Sequence, residues 1–284
     1  MFASQKDTFK LYNGVEIPCI GYGTWKMPDS DEGINATSAA LEYGYRHIDT
    51  AAGYKNEKSV GQAIKKSGIQ REEVFITSKL YNDMHGYDNT MQAFETTLSN
   101  LDTDYLDLYL IHWPNPIKFR DQWQDANAGT WKAFEELYTA GRIKAIGISN
   151  FMVRHIEELM KTAEIKPMVN QILLCPGETQ PELVEYCRKQ DMLLEAYSPF
   201  GSGLIFSVPE IKTMSEKYGK SIAQICVRWS LQMGFLPLPK SVTNSRIHEN
   251  MQVFDFNLSD EDVQTLINLK SDEIVVRNPD IMTF

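Results

Sequence analysis

The chain has 284 residues and a formal net charge of −10, with a sequence pI near 5.1. So acidic a protein is a poor partner for nucleic acid or an anionic membrane, and any anionic ligand needs a dedicated cationic pocket. Met1 to Lys10 hold no apolar signal core, no apolar run is long enough to span a bilayer, and Cys19, Cys175, Cys187 and Cys226 form no CxxC pair, so a cytoplasmic protein with reduced, buried thiols is expected.

Along the chain, Leu11 to Ile17 carries an Asn13-Gly14 turn between alternating flanks, which predicts a β-hairpin. Strand and helix patterns then alternate. Short apolar runs begin near Pro18, Tyr45, Val74, Leu106, Ile143, Met168, Leu193 and Phe235. Between them, apolar residues recur at helical spacing: Val60, Ala63 and Ile64; Met91, Phe94, Leu98 and Leu101; Trp131, Phe134, Leu137 and Tyr138; Ile156, Leu159, Met160 and Ala163. Pro181 opens a helix carrying Leu183, Val184 and Cys187, Ile222, Ile225, Cys226 and Trp229 form the next face, and Val263, Leu266 and Ile267 form the last. No linker composition divides residues 1–284. Eight βα units without a break predict one domain, a (β/α)8 barrel preceded by the hairpin. An open doubly wound sheet would need a glycine-rich phosphate turn after its first strand, and both Gly21-Tyr22-Gly23 and Gly201-Ser202-Gly203 stop short of that fingerprint.

A barrel gathers its chemistry at the C-terminal ends of its strands. There the chain offers Asp49 with Tyr54 just beyond, then Lys79, His112-Trp113, Ser149-Asn150, Gln171, Tyr197 and Lys240-Ser241. Each has a bland alternative: a strand-end Lys is usually solvated, a His beside a Trp is often a core imidazole, and Asn150 can cap a helix. Seven polar groups from consecutive strands are harder to assign to packing. A carboxylate, a phenol, an amine and an imidazole around one pocket suit proton transfer to a carbonyl oxygen. A nearby Lys⁺ favours the phenolate and lowers the phenol pKa, and a carboxylate beside the Lys holds the amine in place. No side chain here donates hydride, so the electrons must come from a cofactor. No HExxH pair is present, and no metal is expected.

These stretches closely resemble the aldo-keto reductases: Gly44-Tyr45-Arg46-His47-Ile48-Asp49-Thr50-Ala51, Ile76-Thr77-Ser78-Lys79, Leu110-Ile111-His112-Trp113-Pro114, Gly147-Ile148-Ser149-Asn150-Phe151 and Leu238-Pro239-Lys240-Ser241. The likeness runs from the hairpin to Leu269, and the short loops are similar to the microbial branch that includes diketogluconate and glyoxal reductases. It implies a (β/α)8 carbonyl reductase using NADP(H), with Tyr54 as acid, Lys79 and Asp49 as its tuning pair and His112 as the orienting group. It further implies that Ser149, Asn150 and Gln171 hydrogen-bond the nicotinamide carboxamide and that Tyr197 stacks on its ring. Lys240, Ser241 and Arg246 would hold the 2′-phosphate, and Glu249 and Asn250 the adenine. The substrate would be a small carbonyl compound bound by a monomer, with Trp25 and Trp113 lining the mouth beside Tyr54 and His112.

Two departures stand out. Leu173-Leu174-Cys175-Pro176 replaces the family's frequent Glu-x-His-Pro, which reads as structural variation, and the loop Phe200 to Phe206 is more apolar than the common version, so it is expected still to fold over the pyrophosphate but with a different closure. Phe119 and Trp123, in an expected loop from Asn115 to Gly129, are predicted to add to a pocket wall. The tail from Ile274 to Phe284 either covers the pocket or stays loose, and Arg277 within it is a possible attractor for an acidic substrate. Two other functions remain open on sequence alone: a nicotinamide-binding regulatory subunit, and a lyase or hydrolase using Asp49 and Lys79.

Overall fold

The computed structural model describes residues 2–269 and 276–283. Strands β1 (Thr8–Lys10) and β2 (Glu16–Pro18) form the expected antiparallel hairpin. Its turn is made by Gly14, at φ +90°, a conformation that favours glycine. Eight parallel strands follow in chain order: β3 (Tyr22–Gly23), β4 (His47–Asp49), β5 (Phe75–Leu80), β6 (Leu106–Ile111), β7 (Ile143–Ser149), β8 (Val169–Leu173), β9 (Leu193–Tyr197) and β10 (Leu236–Leu238). The Gly21 and Gly23 amides donate to the Pro237 and Pro239 carbonyls at 3.0 Å each, joining the first strand to the last. That seam is tight: a Cβ on Gly23 would sit 3.0 Å from the Leu238 carbonyl oxygen. The architecture is the (β/α)8 barrel.

Helices α1 (Asp31–Glu42), α2 (Glu57–Ser67), α3 (Tyr87–Leu101), α4 (Trp123–Thr139), α5 (Val153–Met160), α6 (Pro181–Lys189), α7 (Pro209–Tyr218), α8 (Ile222–Gln232), α9 (Asn244–Met251) and α10 (Asp260–Ile267) surround it. The apolar stripes read from sequence are the buried ones. Phe94, Leu98 and Leu101 on α3, Trp131, Phe134 and Leu137 on α4, and Ile225, Cys226 and Trp229 on α8 all enter the core. Helix α8 starts on a reciprocal cap: the Gln224 amide donates to Ser221 Oγ (3.2 Å) and the Ser221 amide to Gln224 Oε1 (2.9 Å). All four cysteines are free and buried. No helix among the described residues is long and apolar enough to cross a membrane.

The stretch expected as a loop from Asn115 to Gly129 is instead a 3₁₀ segment, Ile117–Gln122, running into α4 at Trp123. Its aromatics do not reach the pocket. Phe119 stacks on buried His85 (centroids 5.6 Å apart), and Trp123 meets His155 edge-on (5.1 Å) beneath the Arg154 guanidinium. Both rings are taken up by histidines more than thirty residues away in sequence, which a reading of residue type alone does not reveal.

Candidate active site

Most of the strand-end residues, though not Lys79 or Ser241, line one cavity of about 830 Å³ at the C-terminal mouth of the barrel. Asp49 ends β4, and the chain then makes one 3₁₀ turn, Ala52–Tyr54, before α2. This turn is pinned by Asn56, which is fully buried. Its Nδ2 donates to the Thr24 and Met27 carbonyls (2.8 and 3.0 Å), and its Oδ1 accepts from Thr50 Oγ1 (2.9 Å). Asn56 stands immediately before α2, and its side chain ties the loops after β3 and β4 together and so sets where Tyr54 stands.

Lys79 lies near the end of β5 with its side chain completely buried, the opposite of a solvated strand-end lysine. Its Nζ donates to Asp49 Oδ1 (2.8 Å), Asp49 Oδ2 (2.9 Å), the Thr50 carbonyl (2.9 Å) and the Tyr54 hydroxyl oxygen (3.3 Å). A buried ion pair stands only when such hydrogen bonds satisfy the ions. Burial pushes the ammonium pKa down, but Asp49 and Tyr54 outweigh it and the net direction is upward, so Lys79 remains a cation. At Tyr54 the balance differs from the sequence expectation. Burial raises the phenol pKa by more than Lys79 lowers it, and Asp49 raises it further, so Tyr54 keeps its proton. The lowering influence of Lys79 is present but smaller than the cost of placing a phenolate in a dry site. The half-buried His112 ring meets Tyr54 edge-on at 5.6 Å. Burial and then the Lys79 charge push its pKa well below the usual range, so the imidazole is neutral.

Opposite this group stands a second wall. Ser149 Oγ donates to the Gln171 carbonyl (2.9 Å), and Asn150 Nδ2 donates to the His112 carbonyl and to Ser149 Oγ (3.0 Å each). The Tyr197 hydroxyl donates to Asn150 Oδ1 (2.7 Å), which fixes both side chains. Asn150 adopts φ +62°, a left-handed turn that Asn tolerates. Gln171 Nε2 donates to Asp49 Oδ2 (2.8 Å) and to Glu195 Oε2 (2.7 Å), which links this wall to the ion pair. The neighbouring Asn170 turns away from the pocket, with its amide donating to the Phe151 carbonyl (3.0 Å), as the period-two alternation of a strand requires.

Of the residues expected to hold a cofactor, Ser149, Asn150, Gln171, Tyr197 and Lys240 line the cavity. Ser241, Arg246, Glu249 and Asn250 lie outside that lining. Ser241 Oγ accepts from the Thr243 amide (3.0 Å) ahead of α9. Arg246 is in the first turn of α9, exposed and without an ion pair among the described residues, while Asn250 is buried farther along that helix. Lys240 reaches the Lys26 carbonyl (3.5 Å), and its pKa is lowered first by burial, with the Lys26 charge acting in the same direction. Lys26 thus adds a cation that the sequence reading overlooked.

All four expected substrate residues, Trp25, Tyr54, His112 and Trp113, line the cavity, together with Tyr81, Ile117, Leu173 and Phe206. Tyr81 follows Lys79 by two residues, so the strand-end logic that found Lys79 extends to it. Leu173 stands at the departure Leu173-Leu174-Cys175-Pro176, where Cys175 is buried in a turn closed by Glu178. Arg277 also lines the cavity. The tail around it is held by Asp280, which accepts from Asn115 Nδ2 and His155 Nε2 (3.1 Å each) and pairs with Arg154, and by Arg120, which donates to the Met282 carbonyl. Ile274 and Phe284 lie outside the described residues. Among the described residues no cluster of His, Cys, Asp and Glu is suited to a metal ion.

The sequence profile described as "Aldo/keto reductase family" matches residues 19–270. Glyoxal reductase of Bacillus subtilis is 50% identical over 284 residues, spanning 100% of both chains. Among solved structures, MGS-M4, an aldo-keto reductase from a deep-sea metagenome, superposes with a TM-score of 0.92 at 42% identity, covering 98% of this chain and 100% of that one. An aldo-keto reductase of Bombyx mori in complex with NADP superposes with a TM-score of 0.84 at 36% identity, covering 93% of each chain. With its barrel, its strand-end residues and its full-length relatives in agreement, this chain belongs to the aldo/keto reductase family.

Proposed function

We propose that the protein reduces small aldehydes, ketones and dicarbonyls to alcohols, with NADPH as the hydride donor and Tyr54 as the general acid. The observation that carries this reading is the buried Lys79 ammonium, held by Asp49 and Thr50 and touching the Tyr54 hydroxyl, beneath a cavity that Tyr54 and His112 both line. When bound, the nicotinamide supplies a hydride to the carbonyl carbon. The carbonyl oxygen, as it gains negative charge, takes the Tyr54 proton: the phenol O–H bond breaks, the alcohol O–H bond forms, and the phenolate is left beside Lys79. Because Lys79 donates to the phenol oxygen, the Tyr54 hydrogen is free to point at the substrate. The neutral His112 ring contributes an N–H donor to the same oxygen. A positioned acid of this kind contributes about 10²- to 10⁴-fold.

The residues present fit NADP(H). In a chain of net charge −10, Lys240 stands just after β10 with Lys26 beside it, and Arg246 follows six residues on in α9, none of them with an acidic partner in ion-pair distance among the described residues, a set suited to a phosphate. Ser149, Asn150 and Gln171 suit the carboxamide, and Tyr197 the nicotinamide ring. The aromatic mouth suits small substrates and discriminates weakly among them, and the 50% identity to a glyoxal reductase favours dicarbonyls. Every proposed site group comes from one chain, so a monomer suffices, and four free thiols suit a cytoplasmic enzyme. The test is NADPH consumption with a panel of aldehydes, ketones and dicarbonyls. Binding of NADPH without turnover would favour a regulatory role, and absence of NADPH binding would favour a lyase or hydrolase.

A further inference from the structure

Glu195 stands in the middle of β9, directly paired with Gln171 on β8, and is fully buried. As a structural element it is a poor investment. One of its oxygens, Oε2, accepts a single hydrogen bond from Gln171 Nε2 (2.7 Å), while Oε1 has no hydrogen-bond partner. His47 Nε2 lies 3.9 Å from Oε1 but is already engaged with Thr77 Oγ1 at 2.9 Å and kept neutral by burial, and the Lys79 ammonium, whose charge also acts on the group, is committed to Asp49. An apolar side chain would avoid the desolvation cost of this carboxyl. What Glu195 does accomplish concerns Gln171. A glutamine amide has two N–H hydrogens, and here both are taken by carboxyl oxygens: Asp49 Oδ2 at 2.8 Å and Glu195 Oε2 at 2.7 Å. A flipped amide would set its carbonyl oxygen against two acceptors. The remaining polar atom of the side chain, Oε1, is therefore the one left to serve the cavity that Gln171 lines.

We propose that Glu195 is a positioning residue for hydride transfer: with Asp49 it locks the Gln171 amide so that only an acceptor faces the bound cofactor, and that acceptor receives the carboxamide N–H of the nicotinamide. The proposal rests on the reading that NADP(H) occupies this cavity. It couples the proton-transfer half of the site to the hydride half, because Asp49, which holds Lys79, shares the same amide. Burial, and after it the Asp49 carboxylate, raise the Glu195 pKa to about 8. The lock holds in both states when the proton is carried on Oε1, the oxygen without a hydrogen-bond partner, because Oε2 then remains an acceptor for Gln171.

The test compares binding of NADP⁺ with that of its 3-acetylpyridine analogue, in which a methyl group replaces the carboxamide NH₂, by fluorescence titration of the intact protein. In the wild type the analogue is expected to bind about tenfold more weakly, the equivalent of one hydrogen bond. In Glu195→Leu the Gln171 amide is released on one side and the penalty should shrink to about two- to threefold, whereas Glu195→Gln, whose amide oxygen still accepts from Gln171, should restore the tenfold penalty. The same penalty in all three proteins would overturn the proposal and leave Glu195 a packing residue. If the Leu variant does not fold, the wild type decides: in ¹⁵N-glutamine-labelled protein both Gln171 side-chain hydrogens should exchange slowly with solvent, before and after NADP⁺ is added, and rapid exchange of both would overturn the lock. Failure of the wild type to bind NADP⁺ at all would instead refute the cofactor reading beneath it.

Discussion

Two regions, one at the base of the cavity and one at and beyond its edge, are built on opposite principles. Around Lys79 every charge is already answered: the ammonium has four oxygen neighbours, three of them within 2.9 Å, and its carboxylate partner is buried with it. Around β10 and α9 the charges are open: Arg246 is exposed without an ion pair among the described residues, and Lys240 has only a 3.5 Å contact to a backbone carbonyl. The first arrangement suits chemistry, because dipoles and charges that are in place before the reaction need no reorganisation during it. The second suits binding, because cations without partners gain most when an anion arrives. Their response to salt should differ too: exposed cations are screened at a Debye length of about 8–10 Å, whereas a buried pair is screened far less.

The largest effect is expected at Tyr54, the proposed proton donor. Tyr54→Phe should leave NADPH affinity nearly unchanged while turnover falls about 10²- to 10⁴-fold, measured under saturating cofactor. Since burial raises the Tyr54 pKa, reduction by the wild type should hold steady through neutrality and decline only above about pH 10, where the phenol loses its proton. Near-normal turnover in the Phe variant would dissolve the distinction between the two regions.

Lys79→Met tests whether the inner region is one unit. It leaves Asp49 buried without its cation, so unfolding should become easier by about 3–5 kcal/mol in a denaturant titration. Turnover should fall by a factor similar to that of Tyr54→Phe, and the double variant should lose little more, because the two side chains serve one proton. Additive losses would mean separate roles.

At the outer region, Arg246→Ala should weaken NADPH binding by roughly ten- to a hundredfold, the loss of one charged hydrogen-bonding group. NADH, which lacks the 2′-phosphate, should bind the variant and the wild type alike. Raising the ionic strength should shrink the difference for NADPH without changing the effect of Lys79→Met. Equal wild-type affinity for the two cofactors would remove the phosphate role of this cluster.

The smallest effect is a pH dependence of stability. Glu195 faces Asp49 and His47 from β4, Lys79 from β5 and Gln171 from β8. With its pKa near 8 when folded and about 4.3 when unfolded, the folded protein retains a proton that the unfolded chain gives up. Its contribution is therefore full below about pH 4.3 and is lost as pH rises through about 8. The wild-type Tm should fall by a few degrees relative to Glu195→Gln between about pH 5.5 and 8.5. Parallel Tm curves for the two proteins would show that this carboxyl does not titrate in that window.

Much of this protein is legible in its residues alone. The alternation of apolar runs with helical stripes such as Phe94, Leu98 and Leu101 is a local pattern, and it determined the βα order and hence the barrel. The strand-end rule then identified Asp49, Lys79, His112 and Gln171 as neighbours, because strand and loop boundaries are also local. What the pattern left out depends on distances across the barrel. That Lys79 is buried rather than solvated, that burial outweighs Lys79 in setting the Tyr54 proton, and that Phe119 and Trp123 pack on His85 and His155 instead of the cavity are outcomes of three-dimensional packing. Asn56 and Glu195 illustrate the limit: a polar residue at a helix start and a charge inside an apolar strand are visible signals, but their partners, Thr24 and Gln171, lie 32 and 24 positions away. The tail is the clearest case. Residue types from Ile274 onward suit a cover or a loose end equally well, and only the hydrogen bonds of Asp280 to Asn115 and His155, 165 and 125 positions earlier in the chain, hold its described part against the barrel with Arg277 in the cavity wall. Periodicity reports which face of an element is apolar; which distant side chain meets it is decided when the chain closes on itself.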